Sequence, residues 1–124
     1  MQVLGICDEG NVLVMERGYK SVRQFLDSEE RLPLSTCRIW LKDILTAIGF
    51  LHRTGIVHFD IKTANFLVFV EPGQASTRSV VKLCDMGLAR DTCSSMETDQ
   101  ELMSLWYRAP ELLMGFPNFS AKVR

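Results

Sequence analysis

His58-Phe59-Asp60-Ile61-Lys62-Thr63-Ala64-Asn65 is followed, twenty residues after its Asn, by Asp85-Met86-Gly87. Between them lie two β-type runs, Phe66 to Glu71 and Val80 to Cys84, joined by a polar connection that contains Pro72-Gly73. An antiparallel hairpin made from these runs returns its ends to one place, so Asn65 and Asp85 are expected to be neighbours. Asp60 and Lys62 stand just before the first strand and belong to the same rim. Two acids, one amide oxygen and one ammonium in one place suit a divalent metal and phosphate.

The rest of the chain sets the frame for that rim. Its 124 residues fit one modest domain and not two. With 47% hydrophobic and 23% charged residues and a mean hydropathy of +0.07, the composition is that of a globular protein. Fourteen basic residues oppose fifteen acidic ones, a net charge of −1, which gives no electrostatic case for a nucleic-acid or anionic-membrane partner. Cys7, Cys37, Cys84 and Cys93 show no C-x-x-C spacing, and the N-terminus shows no charged region followed by an apolar signal core. Reduced thiols and a cytoplasmic or nuclear setting are therefore expected. No run approaches the roughly 18 apolar residues of a membrane helix.

Upstream, Gln2 to Cys7 and Asn11 to Met15 are apolar, β-branched runs separated by Asp8-Glu9-Gly10-Asn11, which predicts a hairpin. A lone hairpin is marginal in water, so its sheet partners are expected further upstream. Glu16-Arg17-Gly18 breaks the strand pattern, and a short helix from about Ser21 to Asp27 follows with Ser21 as N-cap. The strongest helical signal runs from Ser35 to about Arg53. Ile39, Trp40, Ile44, Leu45, Ile48 and Leu51 recur at three- and four-residue spacing, Ser35 or Thr36 is placed to cap the start, and Gly55 ends it. This predicts a core helix in which Trp40 and Phe50 pack and His52 faces the C-terminal dipole. Downstream, Ala89 to Met103 is polar and aperiodic, a long surface loop of the kind that usually carries function. Leu105 to Gly115 closes that loop and opens a short helix.

The succession His58-x-Asp60-x-Lys62-x-x-Asn65, Asp85-Met86-Gly87 and Ala109-Pro110-Glu111 resembles the protein-kinase signature set of catalytic loop, metal-binding triplet and activation-segment end. Each piece alone is weak evidence; three in order make chance a poor explanation. The resemblance implies an α+β, protein-kinase-like fold that is incomplete: residues 1–15 as the last small-lobe strands, 16–18 as the hinge, and 19–124 as the large lobe to just past Ala-Pro-Glu. It implies a serine/threonine kinase that transfers the γ-phosphate of ATP to protein substrates, with Mg²⁺ as cofactor and room for a regulatory subunit. Asp60 would accept or orient the substrate hydroxyl proton, Lys62 would reach the transferring phosphate, and Asn65 and Asp85 would bind Mg²⁺. Leu67 would floor the adenine pocket opposite the hinge backbone of Glu16, Arg17 and Gly18, with Met15 as gatekeeper. Ser104 matches the family's hydroxyl that bonds the catalytic Asp and Lys. Lys62, two residues after Asp60, resembles the serine/threonine-directed kinases rather than the tyrosine-directed ones, and Leu105-Trp106-Tyr107-Arg108-Ala109-Pro110-Glu111 is closest in wording to the cyclin-dependent and MAP-kinase-like group.

The departures from the family pattern matter equally. Phe59 stands where most members carry an Arg that pairs with an activation-loop phosphate, so such phosphorylation is expected to count for less here. Glu97, Asp99 and Glu101 are candidate phosphate mimics, and Thr98 is the best-placed phosphosite. Met86 replaces the Phe of the metal triplet, and Pro72 to Ser79 is longer than a tight hairpin needs. No G-x-G-x-x-G and no ATP-anchoring strand Lys precede the hinge. A chain carrying only the catalytic-loop half is expected to be incompetent and poorly stable alone. The alternatives are a pseudokinase or scaffold-type binding module, which the four retained polar residues disfavour, and a non-functional truncated fragment.

Overall fold

The computed structural model describes residues 1–7, 12–29, 31–70, 79–91, 104–108 and 110–114. Its elements in chain order are β1 (Val3–Cys7), β2 (Val12–Met15), β3 (Lys20–Ser21), α1 (Val22–Leu26), α2 (Leu34–Arg53), β4 (Ile56–Val57), β5 (Phe66–Val70), β6 (Ser79–Leu83), β7 (Arg90–Asp91) and α3 (Pro110–Leu113). Single 3₁₀ turns stand at Thr63–Asn65 and Leu105–Tyr107. Among the described residues, three small antiparallel sheets organise the strands: β1 with β2, β3-β5-β6, and β4 with β7.

The hairpin expected between Asn65 and Asp85 is the β5–β6 pair, in the register Phe66↔Leu83, Val68↔Val81 and Val70↔Ser79. Strand alternation places Phe66, Val68 and Val81 on one face, and all three are buried against Val22, Phe25 and Trp40. The Trp40 indole stacks edge-on to Phe25 at 5.0 Å, and its N–H donates to Ser79 Oγ at 2.7 Å, satisfying a polar group that would otherwise be buried unpaired. Asp43, one turn further along α2, accepts the Val81 N–H at 3.0 Å. The long helix therefore grips β6 by apolar packing and by two side-chain hydrogen bonds.

Helix α1 starts as its sequence predicts. Ser21 accepts the Gln24 N–H, and the Gln24 side chain returns to the Ser21 N–H at 2.8 Å, a reciprocal capping box. Helix α2 departs from expectation in two ways. It begins at Leu34 behind Pro33, with no side-chain cap, and Thr36 is buried instead of capping. Pro33 fixes an extended entry, so the helix can start at once without a hydroxyl. Only part of the apolar periodicity is core: Trp40 is buried and Ile44 and Ile48 pack against the cluster, while Ile39, Leu45 and Phe50 are 45%, 61% and 58% exposed. Gly55, at φ 74°, supplies the left-handed turn that ends the helix.

The stretch after Asp85-Met86-Gly87 also begins with a short strand. Arg90 and Asp91 pair with Val57 and Ile56, tying the strand before His58 to the residues after Asp85. Cys93, Glu97, Thr98, Asp99 and Glu101, most of the connection Pro72 to Ser79, and Asp8 to Asn11 lie outside the described residues.

Candidate functional site

Asp60 is the centre of the site. It lies between β4 and the Thr63–Asn65 turn, 7% exposed, and every oxygen of its carboxylate is engaged. Oδ1 accepts the Ser104 hydroxyl at 2.9 Å, while Oδ2 accepts the Asn65 amide at 2.9 Å and faces Lys62 Nζ at 2.6 Å. Lys62 Nζ also donates to Ser104 Oγ at 3.1 Å, closing a ring of acid, ammonium and hydroxyl. Burial pushes the Asp60 carboxyl up; the hydrogen bonds from Lys62, Asn65 and Ser104 and the Lys62 charge outweigh it, and the group sits below its ordinary value.

Asn65 links the two halves of the rim. It is buried, and its Nδ2 donates both to the Asp60 carbonyl at 2.8 Å and to the Asp60 carboxylate. Two acceptors fix which end of the amide faces Asp60, so the amide oxygen is presented away from it. The Asn65 carbonyl accepts the Cys84 N–H at 2.9 Å, which places Asp85 one residue past the point of contact. Asp85 is exposed and stands at φ 62°, a left-handed conformation that Asp tolerates, with Gly87 N–H 3.4 Å from its Oδ1. The sequence-based placement of Asn65, Asp60, Lys62 and Asp85 on one rim is thus the observed one. A hard divalent cation takes a few oxygen ligands and completes its shell with phosphate and water; one amide oxygen and one exposed carboxylate are a fitting donor pair.

Sequence pattern marks His58 only as the start of the motif, and in the structure it is the part that holds the motif together. Its ring is 2% exposed, Nδ1 accepts the Asp60 N–H at 3.2 Å, and Nε2 lies 3.0 Å from the Cys84 carbonyl. An acceptor at Nδ1 and a carbonyl at Nε2 define the neutral Nε2–H tautomer. Between His58 and Asp60, Phe59 is buried at φ 62°, a conformation rare for a bulky side chain and costing about 1–2 kcal/mol. The only signal for His58 is a polar residue two positions from Asp60, which pattern reading does not separate from a surface histidine.

The Glu16–Gly18 segment reaches the rim through Gly18. A Cβ built at position 18 would stand 2.9 Å from Leu67 Cβ, so the glycine permits the segment to lie on Leu67. Tyr19 N–H then donates to the Val68 carbonyl at 2.8 Å and β3 pairs with β5. Glu16 is half-buried, Arg17 exposed, and Met15 40% exposed. A cavity of about 980 Å³ lies between the β1–β2 hairpin, α2 and the Val80–Gly87 segment, with Met15 and Asp85 in its wall; Leu67 and Glu16 to Gly18 do not line it. Ser104 stands against Asp60 and Lys62, and Tyr107, whose hydroxyl lies 3.2 Å from Thr63 Oγ1, adds a second tie from the 104–108 segment to the catalytic stretch.

The model of the protein kinase domain matches residues 3–123. Among curated relatives, serine/threonine-protein kinase NLK2 of Xenopus laevis is 32% identical over 119 residues, covering 94% of this chain and 25% of its own length. Serine/threonine-protein kinase SSN3 of Candida albicans is 36% identical over 96 residues, covering 74% and 15%. Glycogen synthase kinase 1 of Pyricularia oryzae is 31% identical over 110 residues, covering 89% and 26%. A chain in the crystal structure of the yeast RNA Pol II CTD kinase CTDK-1 complex superposes with a TM-score of 0.81 at 28% identity, over 98% of this chain and 39% of that one. The present chain spans about a quarter or less of the length of these curated relatives.

Proposed function

The chain belongs to the protein kinase family, and from that premise we propose that it carries the phosphoryl-transfer half of a serine/threonine kinase acting on proteins. The observation that carries this is the closed network of Asp60, Lys62, Asn65 and Ser104, which holds an acid and a cation side by side just before the β5–β6 hairpin. The hydroxyl oxygen of a substrate Ser or Thr forms a bond to the γ-phosphorus of ATP. The bond from that phosphorus to the bridging oxygen breaks, ADP leaves, and the hydroxyl proton passes to Asp60.

A carboxyl held below its ordinary value is a poor base in the ground state. Asp60 therefore acts first by orienting the hydroxyl and takes the proton late, as a loose phosphoryl-transfer transition state allows. Lys62, anchored at 2.6 Å to Asp60, is positioned to meet the charge on the transferring phosphate, and Ser104 holds both side chains at their spacing. Asn65 and Asp85 would hold Mg²⁺, which when bound neutralises phosphate charge. Leu67 would floor the adenine site, the main chain of Glu16 to Gly18 would form its hinge edge, and Met15 its back. On this reading residues 1–15 are small-lobe strands and 19–124 large lobe. A cytoplasmic or nuclear setting goes with it.

Transfer of labelled γ-phosphate from ATP to a protein substrate, measured in the full-length gene product, tests the assignment. Asp60→Asn is expected to lower the rate by roughly 10²–10⁴-fold. Asp85→Ala is expected to abolish the response to Mg²⁺. Transfer that persists in both variants would sink the site as described.

A further inference from the structure

Lys82 has no role in the chemistry above, yet it is built into the structure as firmly as Lys62. It lies on β6, three residues before Asp85, and its Nζ sits 2.6 Å from Glu16 Oε2 and 4.4 Å from the centre of the Phe69 ring on the neighbouring strand. The other oxygen of Glu16 accepts the main-chain N–H of Gln2, while the Glu16 N–H donates to the Gln2 carbonyl at 3.0 Å. One carboxylate thus joins the residue before β1, the residue after β2, and β6. Those strands belong to two separate sheets.

Ion pairs on open surface contribute little, because water screens them and two long side chains must be ordered. Here the side chains are 33% and 20% exposed, a main-chain donor fixes the acid, and an aromatic face supports the ammonium. The Lys82 hydrogen bond holds the Glu16 carboxyl below its usual value. The same strand that receives the pair ends just before Asp85, so the pair spans from the segment beside Leu67 to the segment that delivers the metal-binding acid.

We propose that Lys82 is a positioning residue: its ion pair with Glu16 is a latch that fixes the distance between the hinge and the β6 strand that leads to Asp85. A nucleotide held at its base by the hinge then arrives with its phosphates at Asn65 and Asp85. The latch deepens the kinase reading and rests on it for its catalytic consequence, but not for its structural one.

Lys82→Met in the full-length protein keeps the stem over Phe69 and removes the charge. It is expected to raise KM for Mg·ATP about tenfold with kcat within about twofold, the pattern of lost uniform binding, and Lys82→Arg is expected to restore KM. In the nucleotide-free protein, amide exchange at Gln2 should quicken by about tenfold in Lys82→Met, since that amide is tied through Glu16. Glu16→Gln, which keeps an acceptor for Gln2, should raise KM likewise, and the double variant should show no further rise. Unchanged KM and unchanged Gln2 exchange, or a fall in kcat alone, overturns the latch. If the unaltered protein transfers no phosphate, the kinase reading falls and exchange at Gln2 alone decides: quickened supports the latch, unchanged overturns it. Should Lys82→Met not fold, the KM of Glu16→Gln decides in its place: raised supports the latch, unchanged overturns it.

Discussion

The β5–β6 and β1–β2 hairpins are made from the same kind of apolar, β-branched run, and their surroundings are opposite. In β5–β6, Phe66, Val68 and Val81 are 3%, 0% and 4% exposed, with α2 laid across them. In β1–β2, Val3, Leu4, Ile6 and Val12 to Met15 are all exposed, on both faces. Local sequence predicts each hairpin, but a second layer is what turns one of them into a core. The network of Asp60, Lys62, Asn65 and Ser104 adjoins the supported hairpin, with Asn65 immediately before β5. The other reaches the site through Gly18 and the Glu16–Lys82 pair.

Removing the second layer is the most severe way to break this contrast. Trp40→Ala takes away the ring that covers β5–β6 and the Ser79 partner, and is expected to cost about 3–5 kcal/mol by denaturant unfolding. Leu13→Ala on the exposed hairpin should change stability by less than about 1 kcal/mol in the same experiment. Equal losses would show that both hairpins are supported alike. Gly18→Ala sharpens the comparison at the junction. Its Cβ would meet Leu67 at 2.9 Å, so it should weaken nucleotide binding by roughly 1–3 kcal/mol, read by titration, and Leu67→Ala should relieve part of the loss.

Smaller effects follow from caps and protons. Ser21→Ala opens the capping box of α1 and should cost about 1 kcal/mol, with Ser21→Gly costing less. The pH response of Asp60 has a definite sign. Its folded-state pKa lies below the ordinary 3.8, so its contribution to stability is present above that value and is lost as pH falls through the lowered one. Acid unfolding of Asp60→Asn should therefore be flatter below about pH 4 than that of the unaltered protein. An unchanged acid limb would show that the network does not favour the charged carboxylate.

Much of the site was legible because its parts lie close along the chain or across one hairpin. Asn65 and Asp85 follow from strand pairing alone, and Asp60 and Lys62 are two residues apart. Ser104 required the family resemblance, since nothing local to it predicts a bond across forty-four residues to Asp60. The Glu16–Lys82 pair and the His58 ring were not legible. Both are contacts between segments whose separation depends on how sheets stack, and period and propensity carry no such information. The same limit explains α2: its periodicity gives an apolar stripe, but the sequence pattern does not say which part of the stripe meets β6.

One more consequence belongs to His58. Its imidazole touches the main chain on both sides, Asp60 through Nδ1 and Cys84 through Nε2, and the residue after Cys84 is Asp85. The main chain at Asp60 and the main chain one residue before Asp85 are thus bridged by a single flat ring with no rotatable bond inside it. That ring works as a gauge block: being rigid and hydrogen-bonded at both nitrogens, it sets the gap between the two main-chain segments. A longer or floppier side chain at that position would leave both acids in place in the sequence and lose their common measure.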